Sequence, residues 1–187
     1  MDKNSGPESH FSGVVVAKLN GDMISILALI YSMKGRLGQL RIPGGSKRYG
    51  EVPLDTAIRE LRDEIAEEGE PFVLPTDCLH EVHRKSVPGD VKQGGGIHHK
   101  VFYVVSGENL VCTLRKQEIY EPDGVLLGSP SWHEATALVQ RMFGDGSPVQ
   151  HIIAVLKVIK IISSDAQVAK RYGGFIAAHD RFIENNT

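Results

Sequence analysis

The stretch PGGSKRYGEVPLDTAIRELRDEIAEEGE, Pro43 to Glu70, decides how the rest of the chain is read. It opens on a glycine turn and passes into a segment with helical periodicity. At about 100° per residue, Glu60, Asp63, Glu64 and Glu67 fall in one narrow sector of a wheel drawn over Asp55 to Glu68. Leu54, Ala57, Ile58, Leu61 and Ile65 form the opposite stripe. The pattern predicts a helix that buries its aliphatic side against a sheet and turns several carboxylates toward one point. Like charges three and four residues apart repel by roughly 0.2–0.5 kcal/mol per pair in isolated helices. A cation that gathers them offsets this cost. Mg²⁺, usually held by a few carboxylates, waters and a substrate's phosphates, suits such a cluster. The alternative is a solvated acidic face without a ligand.

The flanking residues favour the cation. Gly44 and Gly45 precede the helix by a short loop, Glu51 lies just before it, and Arg59 adjoins the first carboxylate. The arrangement resembles the box of the Nudix hydrolase family: Gly, five residues, Glu, seven residues, Arg-Glu-apolar-any-Glu-Glu-any-Gly-apolar. Laid on this chain it reads Gly45, Glu51, Arg59, Glu60, Leu61, Asp63, Glu64, Ala66 and Glu67, with every spacing kept. Six of these nine positions match and Asp63 is a conservative change, so the signal is far stronger than a lone short motif. Sliding the pattern by three residues loses both the arginine and the apolar position. Ala66 stands where the family has glycine, and Glu67 where it has an apolar residue. With no glycine at 66, the helix is expected to run on to Gly69, the next residue that accepts a left-handed cap.

Composition bounds the rest. With 187 residues and 41% hydrophobic content, the chain can bury one sizeable core. A formal net charge of −2 offers no blanket attraction to nucleic acid or acidic membranes. No apolar run is long enough to span a bilayer, and MDKNSGPESH lacks the apolar core of a signal peptide, so a soluble, cytoplasmic protein is expected. Cys78 and Cys112 lack the spacing of a zinc or disulfide framework and read as reduced thiols.

In order, residues 1–11 read as a polar tail, 12–172 as a single domain and 173–187 as a C-terminal tail. Val14–Leu19 and Met23–Tyr31 predict antiparallel strands joined by a tight turn at Asn20-Gly21. Lys34 to Gly38 reads as a turn, and Gln39–Ile42 as a short strand that delivers the chain to the glycine loop. Cys78–Ser86, His99–Val105, Leu110–Leu114 and Val125–Leu127 predict further strands. Val87 to Gly96, with three adjacent glycines, is either a loop that closes over a substrate or a plain hairpin tip. Ser131 and Glu134 form a capping-box pattern that predicts a helix to Phe143. Ser147-Pro148 opens a second, expected to reach Tyr172 before Gly173-Gly174. Its surplus of Ile153, Val155 and Ile161 points to burial on two sides, within the monomer or against a second copy in a homodimer.

A mixed sheet with helices on its faces accounts for this order, and the resemblance implies the same: an α/β fold of the Nudix-type α/β/α sandwich. It further implies hydrolysis of a diphosphate linkage in a nucleotide derivative. Water attacks phosphorus while Mg²⁺, or Mn²⁺, polarises phosphate oxygens and lowers the water's pKa. By matched position, Glu60 and Glu64 are the principal metal ligands and Asp63 an auxiliary one. Arg59 orients Glu51 and Glu60 through its planar fork, and Gly44 and Gly45 let the loop approach the ligand. Family members take their general base from the box or from a later loop, and Glu118 and Glu121 are the later-loop candidates. Arg84 is a candidate for substrate phosphate. His80 and His83, and His98 and His99, point to opposite faces of their strands and form no ready chelate. The markers that the resemblance implies for coenzyme A, NADH, ADP-ribose or dinucleoside polyphosphate hydrolases are not found, although Ile42-Pro43-Gly44-Gly45 is somewhat closer to nucleoside triphosphate-type members. Trp132 and Tyr103 either stack on a base or pack in the core. The alternative from another class is a catalytically weak or inactive Nudix-fold module that senses a nucleotide or binds a protein.

Overall fold

The computed structural model describes residues 8–33, 38–88, 96–121 and 124–187. Most of the expected turn at 34–38 and of the glycine loop at 87–96 therefore lies outside the described residues, as do residues 1–7 of the expected tail.

The first hairpin, β1 (Ser9–Asn20) and β2 (Met23–Ser32), forms the centre of the sheet. Its antiparallel register ends with Asn20 opposite Met23, so the two-residue turn is Gly21-Asp22, one residue later than the expected Asn20-Gly21, and Gly21 takes a φ of 63° that a side chain would resist. Strand β1 starts at Ser9 rather than Val14, so part of the segment read as a tail is sheet. Two partners hold it there. β4 (Gly44–Ser46) pairs with it antiparallel, and the later strand β7 (Ile97–Ser106) pairs with it in parallel from Ser9 opposite His98.

Around this centre, β3 (Gln39–Arg41) pairs with β2 and leads into β4 and then helix α1 (Pro53–Ile65). β6 (His80–Pro88) extends the sheet beyond β7. On the other side, β9 (Ile119–Tyr120) and β10 (Leu126–Leu127) continue from β2, which also takes β11 (Ser131–Glu134). A separate small ladder joins β5 (Phe72–Val73) to β8 (Val111–Cys112). Because β1 and β7 run parallel while the other pairs are antiparallel, the sheet is mixed.

Alternation along β1 and β2 divides the core into two layers. Val14, Val16 and Leu27 face α1 and meet its stripe of Ala57, Leu61 and Ile65. Val15, Ala17, Ile24, Ile26 and Ala28 face the other way, toward α2 (Ala135–Gly144), α3 (Val149–Ile162) and α4 (Ala166–Asn186). The molecule is an α/β/α sandwich. Among the described residues, no helix is long and apolar enough to cross a membrane.

Four further boundaries differ from the sequence reading, three for a tertiary reason and one for a local cap. Helix α1 stops at Ile65, not near Gly69, because Ala66 turns extended and bridges to Leu114, with the Glu67 N–H donating to Thr113 O at 2.8 Å and the Arg115 N–H to Ile65 O at 2.9 Å. The cross-chain ladder ends the helix without glycine. Ser131 begins a strand instead of a helix, since β2 offers it a ladder, and Glu134 becomes the cap of α2 by accepting from Ala137 N at 2.9 Å. The single long helix is two, broken at Ser163 to Asp165, where the Asp165 carboxylate caps α4 by accepting from Gln167 N at 2.9 Å. Finally, α4 runs through Gly173-Gly174, and residues 173–187 are a docked helix rather than a tail. Each glycine costs about 1 kcal/mol against alanine there. Burial of Tyr172, Ile176 and Ile183 offsets it, and the Tyr172 hydroxyl accepts from Ile24 N and donates to Glu134 Oε1, both at 2.8 Å.

Candidate functional site

The candidate site lies where the loop before α1 crosses the middle of that helix. Gly44 has no Cβ because one would fall 2.6 Å from Gly13 Cα, and Gly45 because one would fall 2.6 Å from Glu60 Oε2. The bare backbone therefore passes directly over two carboxylates. Gly44 N–H donates to Glu64 Oε2 at 2.8 Å.

Arg59 ties the front of the helix to the loop. Its Nε donates to Glu51 Oε1 at 2.6 Å and Nη2 to Glu51 Oε2 at 3.0 Å. Nη1 donates to Glu60 Oε1 at 2.6 Å, and Nη2 also reaches the Ser46 carbonyl at 3.0 Å. The guanidinium holds the Glu51 carboxyl down at about 2. Such a planar fork fixes two carboxylates and a main-chain turn at once, which an ammonium would not.

The acidic sector divides in two. Glu60 and Glu64 line a pocket of about 370 Å³ together with Phe11, Tyr31, Arg41, Gly44, Gly45, Ser46 and Glu121. Asp63 and Glu67 line a different groove, beside Arg62, Arg115 and Ile119. The wheel explains the split: Glu64 borders the apolar stripe beside Ala57 and is drawn toward the sheet, whereas Asp63 lies on the far edge of the sector. Glu67 lies past the helix end, where its carboxylate accepts from Lys116 N at 3.1 Å. Asp63 stays exposed, 3.9 Å from both Arg48 and Arg59.

Three carboxylates thus share one pocket. Burial pushes the Glu64 carboxyl up to about 8, opposed by the Gly44 N–H and reinforced by repulsion from Glu60 and Glu121. Burial likewise raises Glu60, against the pull of Arg59. Glu64 is only 6% exposed, so water does little to relieve this crowding. A divalent cation between the carboxylates would, and an all-oxygen donor set of this kind fits Mg²⁺ or Mn²⁺.

Of the other expected site residues, Glu121 lines the pocket and Glu118 does not. Glu118 is exposed on the approach to β9. Arg84 pairs with Glu81 at 2.6 Å on the exposed face of β6 and is not among the pocket's lining residues. Tyr103 is buried in the core and Trp132 packs half-buried under Lys18. His83 is a satisfied core histidine, with Nε2 2.5 Å from Gln150 Oε1.

Four lining residues were missed in the sequence: Phe11, Tyr31, Arg41 and Ser46. Arg41 stacks over the Tyr31 ring at 4.0 Å and donates Nη2–H to Gln39 Oε1 at 2.6 Å, while its buried Nε–H has no partner among the described residues. Strand alternation was the available signal, since Arg41 is a charged residue paired, through Leu29, into the sheet's interior.

Comparison with known proteins bears on the fold. No family model and no curated protein matches the chain by sequence. Solved structures do match by fold. The solution structure of the E. coli ORF135 protein, 16% identical, superposes with a TM-score of 0.56 over 85% of this chain and 94% of that one. The NUDIX domain of Shewanella oneidensis NrtR, solved as a complex with ADP ribose, is 13% identical, with a TM-score of 0.54 over 83% and 88%. A C. elegans Ap4A hydrolase, in a binary complex, is 14% identical, with a TM-score of 0.52 over 84% and 99%. At these identities the likeness shows the fold.

Proposed function

We propose, from the premise that this chain has the Nudix fold and carries a near-complete Nudix box on it, that it is a divalent-cation-dependent pyrophosphohydrolase of nucleotide derivatives. The observation that carries the reading is the convergence of Glu60, Glu64 and Glu121 on one pocket beneath a bare glycine loop. Glu60 and Glu64 hold Mg²⁺ or Mn²⁺, with Asp63 adding negative charge from outside the pocket. The bound cation would polarise phosphate oxygens and make water a better nucleophile at neutral pH.

The protein's own groups supply the rest. Glu121 is the general base, because of the two later-loop glutamates it alone lines the pocket. Arg59 keeps the Glu60 carboxylate in one orientation, so little reorganisation accompanies the reaction. Arg41 meets the substrate's phosphates with its charge and its unpartnered Nε–H. Phe11 and Tyr31 provide apolar walls for the group beyond the diphosphate. A nucleoside triphosphate is the first substrate to try, given Ile42-Pro43-Gly44-Gly45. Neighbours of this fold solved with ADP ribose, or described as Ap4A hydrolase, widen the panel to those classes.

The test is incubation with nucleoside triphosphates, ADP ribose and dinucleoside polyphosphates in Mg²⁺, with products identified by mass spectrometry in ¹⁸O-labelled water. Label in a released phosphate or nucleotide, abolished by excess chelator, is expected. Saturable binding of these compounds without turnover would replace the enzyme with a sensing module.

A further inference from the structure

Outside the carboxylate pocket, Glu8, His10 and His99 bring three potential ligand atoms within 4.8 Å of one another. We propose that they form a second metal site, for a transition-metal dication of the zinc class, which fastens the start of β1 to β7. The site is a product of topology. Neighbouring histidines on one strand point to opposite faces, but the parallel pairing of β1 with β7 sets His10 directly opposite His99, and their rings stack with centroids 4.8 Å apart.

The nitrogens point the right way. Both Nε2 atoms face one oxygen of Glu8, His10 at 4.0 Å and His99 at 3.9 Å. These separations are too long for hydrogen bonds. Ligand atoms around a tetrahedral zinc lie roughly 3.4 Å apart for metal–ligand bonds of about 2.1 Å. Glu8 is exposed and its side chain can close the difference. On His99 the other nitrogen is already engaged, with Nδ1 2.8 Å from Ser86 Oγ. Donation from Nδ1–H to that hydroxyl leaves the Nε2 lone pair for a metal, the outer contact that ligating histidines ordinarily have.

Two imidazoles and one carboxylate favour zinc-class ions over Mg²⁺, which prefers oxygen alone. The two sites are therefore chemically distinct. They are also on different walls: Phe11 lines the carboxylate pocket, while its neighbour His10 points across the sheet.

The experiment is a Zn²⁺ titration of the full chain against a zinc-sensitive chelating dye, with Mg²⁺ in large excess to occupy the carboxylate pocket. One equivalent is expected to bind, with affinity at least tenfold lower in His10→Gln and in His99→Gln and unchanged in His98→Gln. In parallel, Zn²⁺ should protect His10 and His99 of the unaltered chain from carbethoxylation by diethyl pyrocarbonate, mapped by mass spectrometry, so the test does not depend on a variant folding. Failure to bind Zn²⁺ beyond what Mg²⁺ displaces, affinity in His10→Gln and His99→Gln equal to that of the unaltered chain, or labelling indifferent to Zn²⁺ would each overturn the proposal.

Discussion

Arg115 donates Nε–H to the main-chain carbonyl of Glu64 at 2.6 Å, so the residue bearing the pocket's most buried carboxylate is held from across the fold. The same buried guanidinium donates Nη2–H to Gly128 O at 2.8 Å and Nη1–H to the Gln117 carbonyl. One side chain thus joins the end of α1, the segment leading to Glu121 and the strand after it. Replacing Arg115 by Ala strands these carbonyls, at about 1–3 kcal/mol for each left buried and unpaired. We expect a loss of about 3 kcal/mol or more in urea unfolding. Stability within ~1 kcal/mol of wild type would show that water replaces the guanidinium freely.

The crowding around Glu64 makes stability depend on pH in an unusual direction for a carboxylate. Its pKa rises from 4.5 toward about 8 on folding, so the folded chain binds a proton that the unfolded chain has released. Its contribution is full below the unfolded value and is lost as pH rises through the folded one. In chelator, Tm should therefore decline from roughly pH 5 to pH 8. Glu64→Gln, which keeps an acceptor for Gly44 N–H, should flatten that decline and leave the chain at least as stable at pH 8. A decline of equal slope in the variant would mean that other groups cause it.

Gly45→Ala tests the close approach at the loop. Its Cβ would meet the Glu60 carboxylate within 2.6 Å, so the carboxylate must swing away from Arg59 and out of place. A hundredfold or greater loss of turnover is expected, on the order of what about 1 Å of misplacement costs, with circular dichroism unchanged. Wild-type kinetics would show that Glu60 can move without consequence.

Much of this was legible because it is local. The β1–β2 hairpin, the stripe of Ala57, Leu61 and Ile65, and the loop glycines before α1 each depend on neighbours within a few residues. Most of the misjudged boundaries depend on distant partners. Ala66 leaves the helix because Leu114 is there to pair with it, and Gly173-Gly174 stay helical because Tyr172 is anchored on Ile24 and Glu134. Ser163-Ser164-Asp165 was a readable cap signal inside an apolar run, overshadowed by the hydrophobic period on either side. In the site, the spacing of Glu60 and Glu64 identified the helix face, but only the fold shows that Asp63 turns to another groove and that Arg41 and Tyr31 complete the pocket.

Glu121 and Glu118 form a matched pair for locating the base. Glu121→Gln should lower kcat by about 10²–10⁴-fold with little change in Mg²⁺ affinity. Glu118→Gln, outside the pocket, should stay within a few-fold of wild type. If neither slows turnover while Glu60→Gln abolishes it with cation still bound, the base is on the helix.

The most direct test of the account is to measure Mn²⁺ binding by electron paramagnetic resonance and turnover on the same samples of wild type and Glu64→Gln. The account predicts that the substitution weakens Mn²⁺ binding and lowers turnover together, with raised Mn²⁺ recovering part of the rate. Full Mn²⁺ affinity in Glu64→Gln, or undiminished turnover without bound cation, would contradict it.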